Sequence, residues 1–173
     1  MAAEGRRYQG VLYVGLMITE DGPKVLEFNA RFGDPETQVI MARMRSDLVP
    51  ILEQVAAGQL RETKMDWAKE AAVCVVLASA GYPDESPETG KVVNGLEALR
   101  DDTDVVVYHA ATARKEGQVV TVGGRVLGVT ALAANLDAAV ARAYEVVGKL
   151  SFEGMFYRKD IGKKALARLH APR

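Results

Sequence analysis

Residues 25–38 read V-L-E-F-N-A-R-F-G-D-P-E-T-Q and set an acid, an amide and a guanidinium at alternate positions before a glycine break. Side chains two apart on an extended segment share a face. Glu27, Asn29 and Arg31 are therefore expected to project together, with Leu26, Phe28 and Ala30 turned into apolar packing. A carboxylate beside an amide oxygen is a hard-oxygen site. It suits Mg²⁺ or Mn²⁺ held jointly with phosphate oxygens rather than enclosed in a protein cage. Arg31 is placed to fork onto a carboxylate or phosphate near that ion. Past Gly33 a helix start is expected, with Asp34 at the N-cap, Pro35 at the first helical position and Glu36 at the positive end of the dipole. Its free N–H groups would form a second anion site. The competing reading is an edge strand with a solvated charged face, followed by an ordinary capped helix. An isolated E-x-N fits that reading equally well.

The elements that must position these groups can be read on either side. Residues 11–18, V-L-Y-V-G-L-M-I, are β-rich, and E-D-G-P is a turn signal before residues 24–29, so the two runs predict a hairpin. Tyr13, Gly15 or Met17 then lies beside the Glu27 face, and Gly15 marks the close approach of another group. A helix from Pro35 carries Val39, Ile40, Met41 and Met44 as an apolar stripe and ends near Arg45. A second starts at S-D-L-V-P with Ser46 or Asp47 as cap, turns Leu48, Ile51, Leu52, Val55 and Ala56 inward, and stops at Gly58.

Composition turns polar over residues 59–69, where a boundary is expected and where Trp67 would anchor the connection. Beyond it short strands are predicted at residues 71–79, 105–110, 118–122 and 125–134, with breaks at G-Y-P-D, K-E-G-Q and V-G-G-R. Helical periodicity follows from an Asn135 cap through Leu136, Ala139, Val140, Ala143, Tyr144 and Val147 to about Leu150. The tail resumes a short extended piece and ends in a basic helical turn.

The bulk properties exclude several function classes. With 173 residues the chain is one domain or two small ones. The balance of 22 Lys+Arg against 23 Asp+Glu argues against a general polyanion binder, so no nucleic acid is expected as a partner. The single cysteine, Cys74, sits in an apolar run and reads as a buried, inert thiol of a reducing compartment. No apolar run is long enough to cross a bilayer and no signal-peptide core is visible, so the expectation is a cytoplasmic chain without a membrane partner.

The combined stretch E-F-N-A-R-F-G-D-P-E-T-Q resembles the signature of the phosphoribosylamine–glycine ligase (glycinamide ribonucleotide synthetase) family of ATP-grasp enzymes in purine biosynthesis. E-x-N-x-R is shared by many ATP-grasp enzymes, whereas R-F-G-D-P-E is particular to this family. The resemblance continues through V-V-L-A-S-A-G-Y-P, Y-H-A-A-T, G-G-R-V-L-G-V-T and Y-R-K-D-I-G-K-K-A, and so runs from about Tyr8 to Ala165. Y-H-A-A-T departs from the usual F-H-A-G-T, G-Y-P-D-E-S-P from a glycine and aromatic after G-Y-P, and K-K-A from R-A.

The resemblance implies an α+β fold. Residues 1–60 would be the carboxy-terminal part of an ATP-grasp domain, an antiparallel sheet plus helices bearing the metal and ATP site. Residues 61–173 would be the ligase's carboxy-terminal domain, small and strand-rich with a packing helix. It also implies a reaction: ATP activates glycine to an acyl phosphate, and the amine of 5-phosphoribosylamine attacks it. Glu27 and Asn29 would be the metal ligands and Arg31 the catalytic cation, with Met17 against adenine and Gly33 and Asp34 at the substrate. Met17 reads equally well as plain core, and Asp34 as only a helix cap. The amino-terminal domains of such a ligase are expected as the missing partners of a monomeric enzyme. The 173 residues alone are expected to bind ATP weakly and not to turn over.

Other candidates carry less. His109 lies in a strand and reads as structural, and His170 stands near the end of the chain. Gly123 and Gly124 before Arg125 read as a hairpin turn, and Arg158, Lys159, Lys163 and Lys164 as a solvated basic face. Two alternatives to a ligase portion stay open: a non-catalytic packing module for a separate chain, and a different ATP-grasp carboxylate–amine ligase.

Overall fold

The computed structural model describes residues 1–61, 64–83 and 86–171. Residues 62 and 63 of the polar boundary stretch, and Asp84 and Glu85 of the G-Y-P-D break, lie outside the described residues. The chain is a mixed α+β protein with antiparallel sheets, and its contacts divide it into two units, Met1–Thr37 with Met44–Trp67, and Gln38–Arg43 with Ala68–Arg173.

The first unit is built on the hairpin of β1 (Tyr13–Thr19) and β2 (Gly22–Asn29). Glu20 and Asp21 make its two-residue turn, and Gly22 follows at φ 99°, which a side chain would disfavour. Tyr13 pairs with Asn29 and Gly15 with Glu27, after which the register slips so that Leu16 meets Val25 and Met17 meets Lys24. Leu26 is thus the extra residue of a β-bulge. The expected burial of the alternate face is not found: Leu26 is 64% and Phe28 63% exposed. Val14 opposite Phe28 and Leu16 opposite Val25 form an apolar face that is itself exposed, because a two-stranded ribbon has no second layer of its own.

Helix α1 spans Glu36–Arg43 and α2 spans Val49–Ala56. The first helical hydrogen bond of α1 runs from Thr37 N–H to the Gly33 carbonyl at 3.0 Å, placing Gly33 rather than Asp34 at the half-in position. At α2 the Asp47 carboxylate accepts from Val49 N–H at 2.9 Å, and Gly58, at φ 66°, closes the helix as its sequence position suggests. The stripe expected to face inward on α2 is only partly covered, with Leu48, Ile51 and Val55 half-buried and Leu52 and Ala56 exposed.

The second unit holds the core. Strands β3 (Ala71–Ala78), β4 (Val105–His109) and β7 (Arg125–Ala133) form an antiparallel sheet in the order β3-β7-β4, and β5 (Thr112–Lys115) pairs with β6 (Gln118–Thr121). Helix α3 (Leu136–Val147) is capped by Asn135, whose side chain accepts from Ala138 N–H at 2.9 Å. It lays Ala139, Ala143, Val146 and Val147 on Val75, Leu77, Val126 and Val129. Each of these valines, fully removed from water, contributes on the order of 1.5–3 kcal/mol. Tyr144 on the same helix accepts from Ile161 N–H and donates to the Arg158 carbonyl, holding the segment that leads to α4 (Lys163–Leu169).

Two expectations change here. Cys74 is half-buried rather than buried, close under Gly128 of β7. V-G-G-R is not a hairpin turn, because β6 pairs with β5 while β7 pairs with β3 and β4. A Cβ on Gly124 would come 2.4 Å from the Tyr82 ring and one on Gly123 2.9 Å from Ala111. The two glycines therefore serve close packing.

Candidate functional site

The hairpin register explains which side chains meet. Tyr13, Gly15 and Met17 alternate along one face of β1, and their partners Asn29, Glu27 and Lys24 stand on the same face of β2. Glu27 and Asn29 are together as expected: Asn29 Nδ2 donates to Glu27 Oε1 at 3.1 Å, on an exposed surface. With its nitrogen engaged, the amide leaves Oδ1 beside the carboxylate, so the pair offers oxygen donors only. Gly15 directly opposite leaves that surface clear, since a Cβ there would stand 3.0 Å from Glu27 Cγ. This donor set fits a hard divalent cation that completes its shell from phosphate and water. Among the described residues no group of three His, Cys, Asp or Glu gathers into a closed site.

Arg31 lies past the end of β2, exposed, with Nη1 donating to the Phe32 carbonyl at 2.9 Å. Met17 is 50% exposed on the Glu27 face, opposite Lys24. Gly33 is buried, and its missing side chain is what admits the Glu36 carboxylate: a Cβ there would sit 2.3 Å from Oε2. Asp34 is exposed one residue further along.

Two groups escaped the sequence reading of this site. Glu36 reaches back, accepting from the Tyr13 hydroxyl at 3.1 Å, so a second carboxylate is tied to the strand that carries Gly15. That hydrogen bond, with partial desolvation and the charges of Glu36 and Glu27, holds the Tyr13 phenol above its ordinary pKa. Lys24 joins the Glu27 face only through the bulge at Leu26, and no residue type in G-P-K-V-L-E signals a bulge there. His109 stands outside this unit with Nδ1 2.9 Å from Thr112 Oγ1.

Comparison with known proteins places the chain in a family. The family model described as phosphoribosylglycinamide synthetase, C domain, matches residues 72–164, and that of the synthetase's ATP-grasp (A) domain matches residues 1–37. A phosphoribosylamine–glycine ligase of Caulobacter vibrioides is 55% identical over 168 residues, covering 96% of this chain and 39% of the relative. That of Halalkalibacterium halodurans is 53% identical over 164 residues, covering 95% of this chain and 37% of the relative. The crystal structure of the Thermotoga maritima phosphoribosylamine–glycine ligase superposes with a TM-score of 0.76 at 37% identity, over 92% of this chain and 39% of that one. The chain thus spans about two-fifths of the length of these relatives.

Proposed function

Because the chain belongs to the phosphoribosylglycinamide synthetase family, we propose that it supplies the metal-holding ribbon and the carboxy-terminal domain of a phosphoribosylamine–glycine ligase. The observation that carries this reading is the Asn29–Glu27 contact on an open strand face, facing a glycine that keeps the space above it free.

Joining the carboxylate of glycine to the amine of 5-phosphoribosylamine needs a leaving group on the acyl carbon, which phosphoryl transfer from ATP provides. Such transfer asks the protein mainly for positioning and charge neutralisation. Glu27 and Asn29 would hold Mg²⁺ or Mn²⁺, and the ion supplies charge compensation to the phosphate oxygens when bound. Arg31 stands at the strand's end with an exposed guanidinium, able to exchange its carbonyl contact for a phosphate or acyl phosphate oxygen. Met17 offers an apolar surface for a purine on the same face. Gly33 and Asp34 border the substrate at the start of α1. The amine is a nucleophile when unprotonated, so no general base is required.

By this reading the exposed apolar face of the hairpin, with Phe28 upon it, would be covered in the complete ligase by another part of that enzyme. By this reading the chain alone binds ATP weakly and does not catalyse. The test is reconstitution with the amino-terminal part of such a ligase, measuring ADP release that depends on both glycine and phosphoribosylamine. Activity should appear on mixing and fall by roughly two orders of magnitude with Glu27→Gln. No turnover from a demonstrably associated mixture, or full turnover by the Glu27→Gln protein, overturns the assignment.

A further inference from the structure

The second unit contains a half-open cavity of about 410 Å³ that the proposed ligation does not use. One wall is the 3-10 turn Leu96–Leu99 with Arg100 after it, and the other is the end of β4 with β5, contributing His109, Thr112 and Arg114. The cavity's acid is already neutralised: Arg100 grips Glu97 with Nε to Oε2 at 2.7 Å and Nη2 to Oε1 at 2.9 Å. Arg114 forms no ion pair among the described residues, so the lining carries a net positive charge. His109 Nδ1 lies 2.9 Å from the Thr112 hydroxyl; when that hydroxyl donates to Nδ1, the ring keeps Nε2–H as a donor. A second recess of about 240 Å³ shares Arg114 with the first and adds the amides of Asn94 and Gln118.

The free fork of Arg114, the remaining N–H groups of the Glu97-paired Arg100, a histidine and a hydroxyl around one small cavity supply more donors than a single carboxylate uses and match a compact oxyanion. The neighbouring amides match hydroxyl groups. We infer that this cavity binds a small phosphate monoester bearing hydroxyl groups, with the phosphate at Arg114 and Arg100 and the polyol towards Asn94 and Gln118. The inference stands apart from the ligase reading, since none of these residues belongs to the unit that carries Glu27 and Asn29.

The test uses the full chain, with backbone amide spectra followed during titration by inorganic phosphate, glycerol 3-phosphate, glycerol and acetate. Glycerol 3-phosphate should shift the amides of residues 96–100 and 109–114 saturably, and phosphate should do so more weakly. Acetate and glycerol should leave them in place. Arg114→Ala should weaken glycerol 3-phosphate about tenfold or more, and Arg100→Ala at least as much, because it also frees the Glu97 carboxylate. Both arginines are exposed, so the spectra of the variants should keep the parent's dispersion. Gln118→Ala should weaken glycerol 3-phosphate while leaving inorganic phosphate unchanged. Unsaturable shifts, acetate acting like phosphate, or folded Arg114→Ala binding like the parent would overturn the inference.

Discussion

Gly15 stands directly across the ribbon from Glu27, and a methyl group placed on Gly15 would lie 3.0 Å from Glu27 Cγ. The carboxylate's position therefore depends on a side chain that is absent. Gly15→Ala should leave the hairpin folded, since Glu27 is exposed and can swing, but it should break the contact with Asn29. Affinity for Mn·ATP in the reconstituted ligase is expected to fall roughly tenfold, the scale of a small misplacement in a positioned site. Unchanged affinity, read from the Mn²⁺ paramagnetic signal, would separate the glycine from metal positioning.

Asn29→Asp makes a sharper test of the oxygen-donor pair. Two carboxylates at 3.1 Å repel and favour either a proton or a cation between them. The variant should bind bare Mn²⁺ more tightly than the parent and lose affinity for it below about pH 5, near the ordinary carboxylate range. Its dependence on nucleotide for metal binding should shrink, since the protein then provides charge that phosphate otherwise supplies. A variant that binds free Mn²⁺ no better than the parent would mean that the two side chains do not share an ion.

In the second unit Arg142 gathers Asp102, Asp104 and Glu145 at 3.0, 2.8 and 2.8 Å. Its hydrogen bonds hold the Asp104 carboxyl below its ordinary value, and those from Lys149 and Arg142 do the same for Glu145. A depressed folded pKa contributes stability that is present above the unfolded value, near pH 4, and lost as pH falls through the folded one. Arg142→Ala should remove that part of the acid dependence, so the variant loses less stability than the parent below about pH 4. At neutral pH it should be less stable by about 1–3 kcal/mol, mainly because the buried Asp102 Oδ2, which makes no hydrogen bond, loses its 3.0 Å ion pair and keeps only Lys149 at 3.9 Å. Chemical denaturation at pH 7 and at acid pH measures both; parallel losses at the two pH values would dismiss the linkage.

Glu116 is the one non-glycine residue with positive φ among the described residues, at 51°, and Gly117 follows at 81° in the turn between β5 and β6. Both central residues of this tight turn thus take the left-handed conformation that favours Asn-Gly. Glu116→Asn should relieve part of a cost of roughly 1–2 kcal/mol. Slower amide exchange in residues 112–121 and a melting point higher by ~1–3 °C would register it. No change in either would show that the acid is held there by something other than the turn.

The hairpin, the α3 helix and most strands of the second unit were legible because each has a local cause. A β-rich run with the E-D-G-P turn signal marked β1 and β2, Asn135 marked the start of α3, and K-E-G-Q marked a turn. Strand β5 was missed because T-A-R-K has no apolar alternation and forms only by pairing with β6. At the site, Glu27 and Asn29 could be paired from spacing alone, and the sequence resemblance named the ligase family from the same stretch. The contribution of Glu36 could not be read, since it depends on Gly33 leaving room nine residues after the strand position of Lys24. Nor could exposure be read: Leu26 and Phe28 look like core by composition, and what covers a residue is not written beside it.

The extra residue at Leu26 acts as a phase slip in the ribbon. Counting by twos backward from Asn29 goes out of step at that point, so Lys24 joins the polar side and Val25 the apolar one. The Glu27 end and the turn end of the strand are thereby uncoupled. Residues near Gly22 can change in number or character without rotating Glu27, and a deletion at Leu26 would remove the bulge while plain alternation kept Lys24 on the polar side.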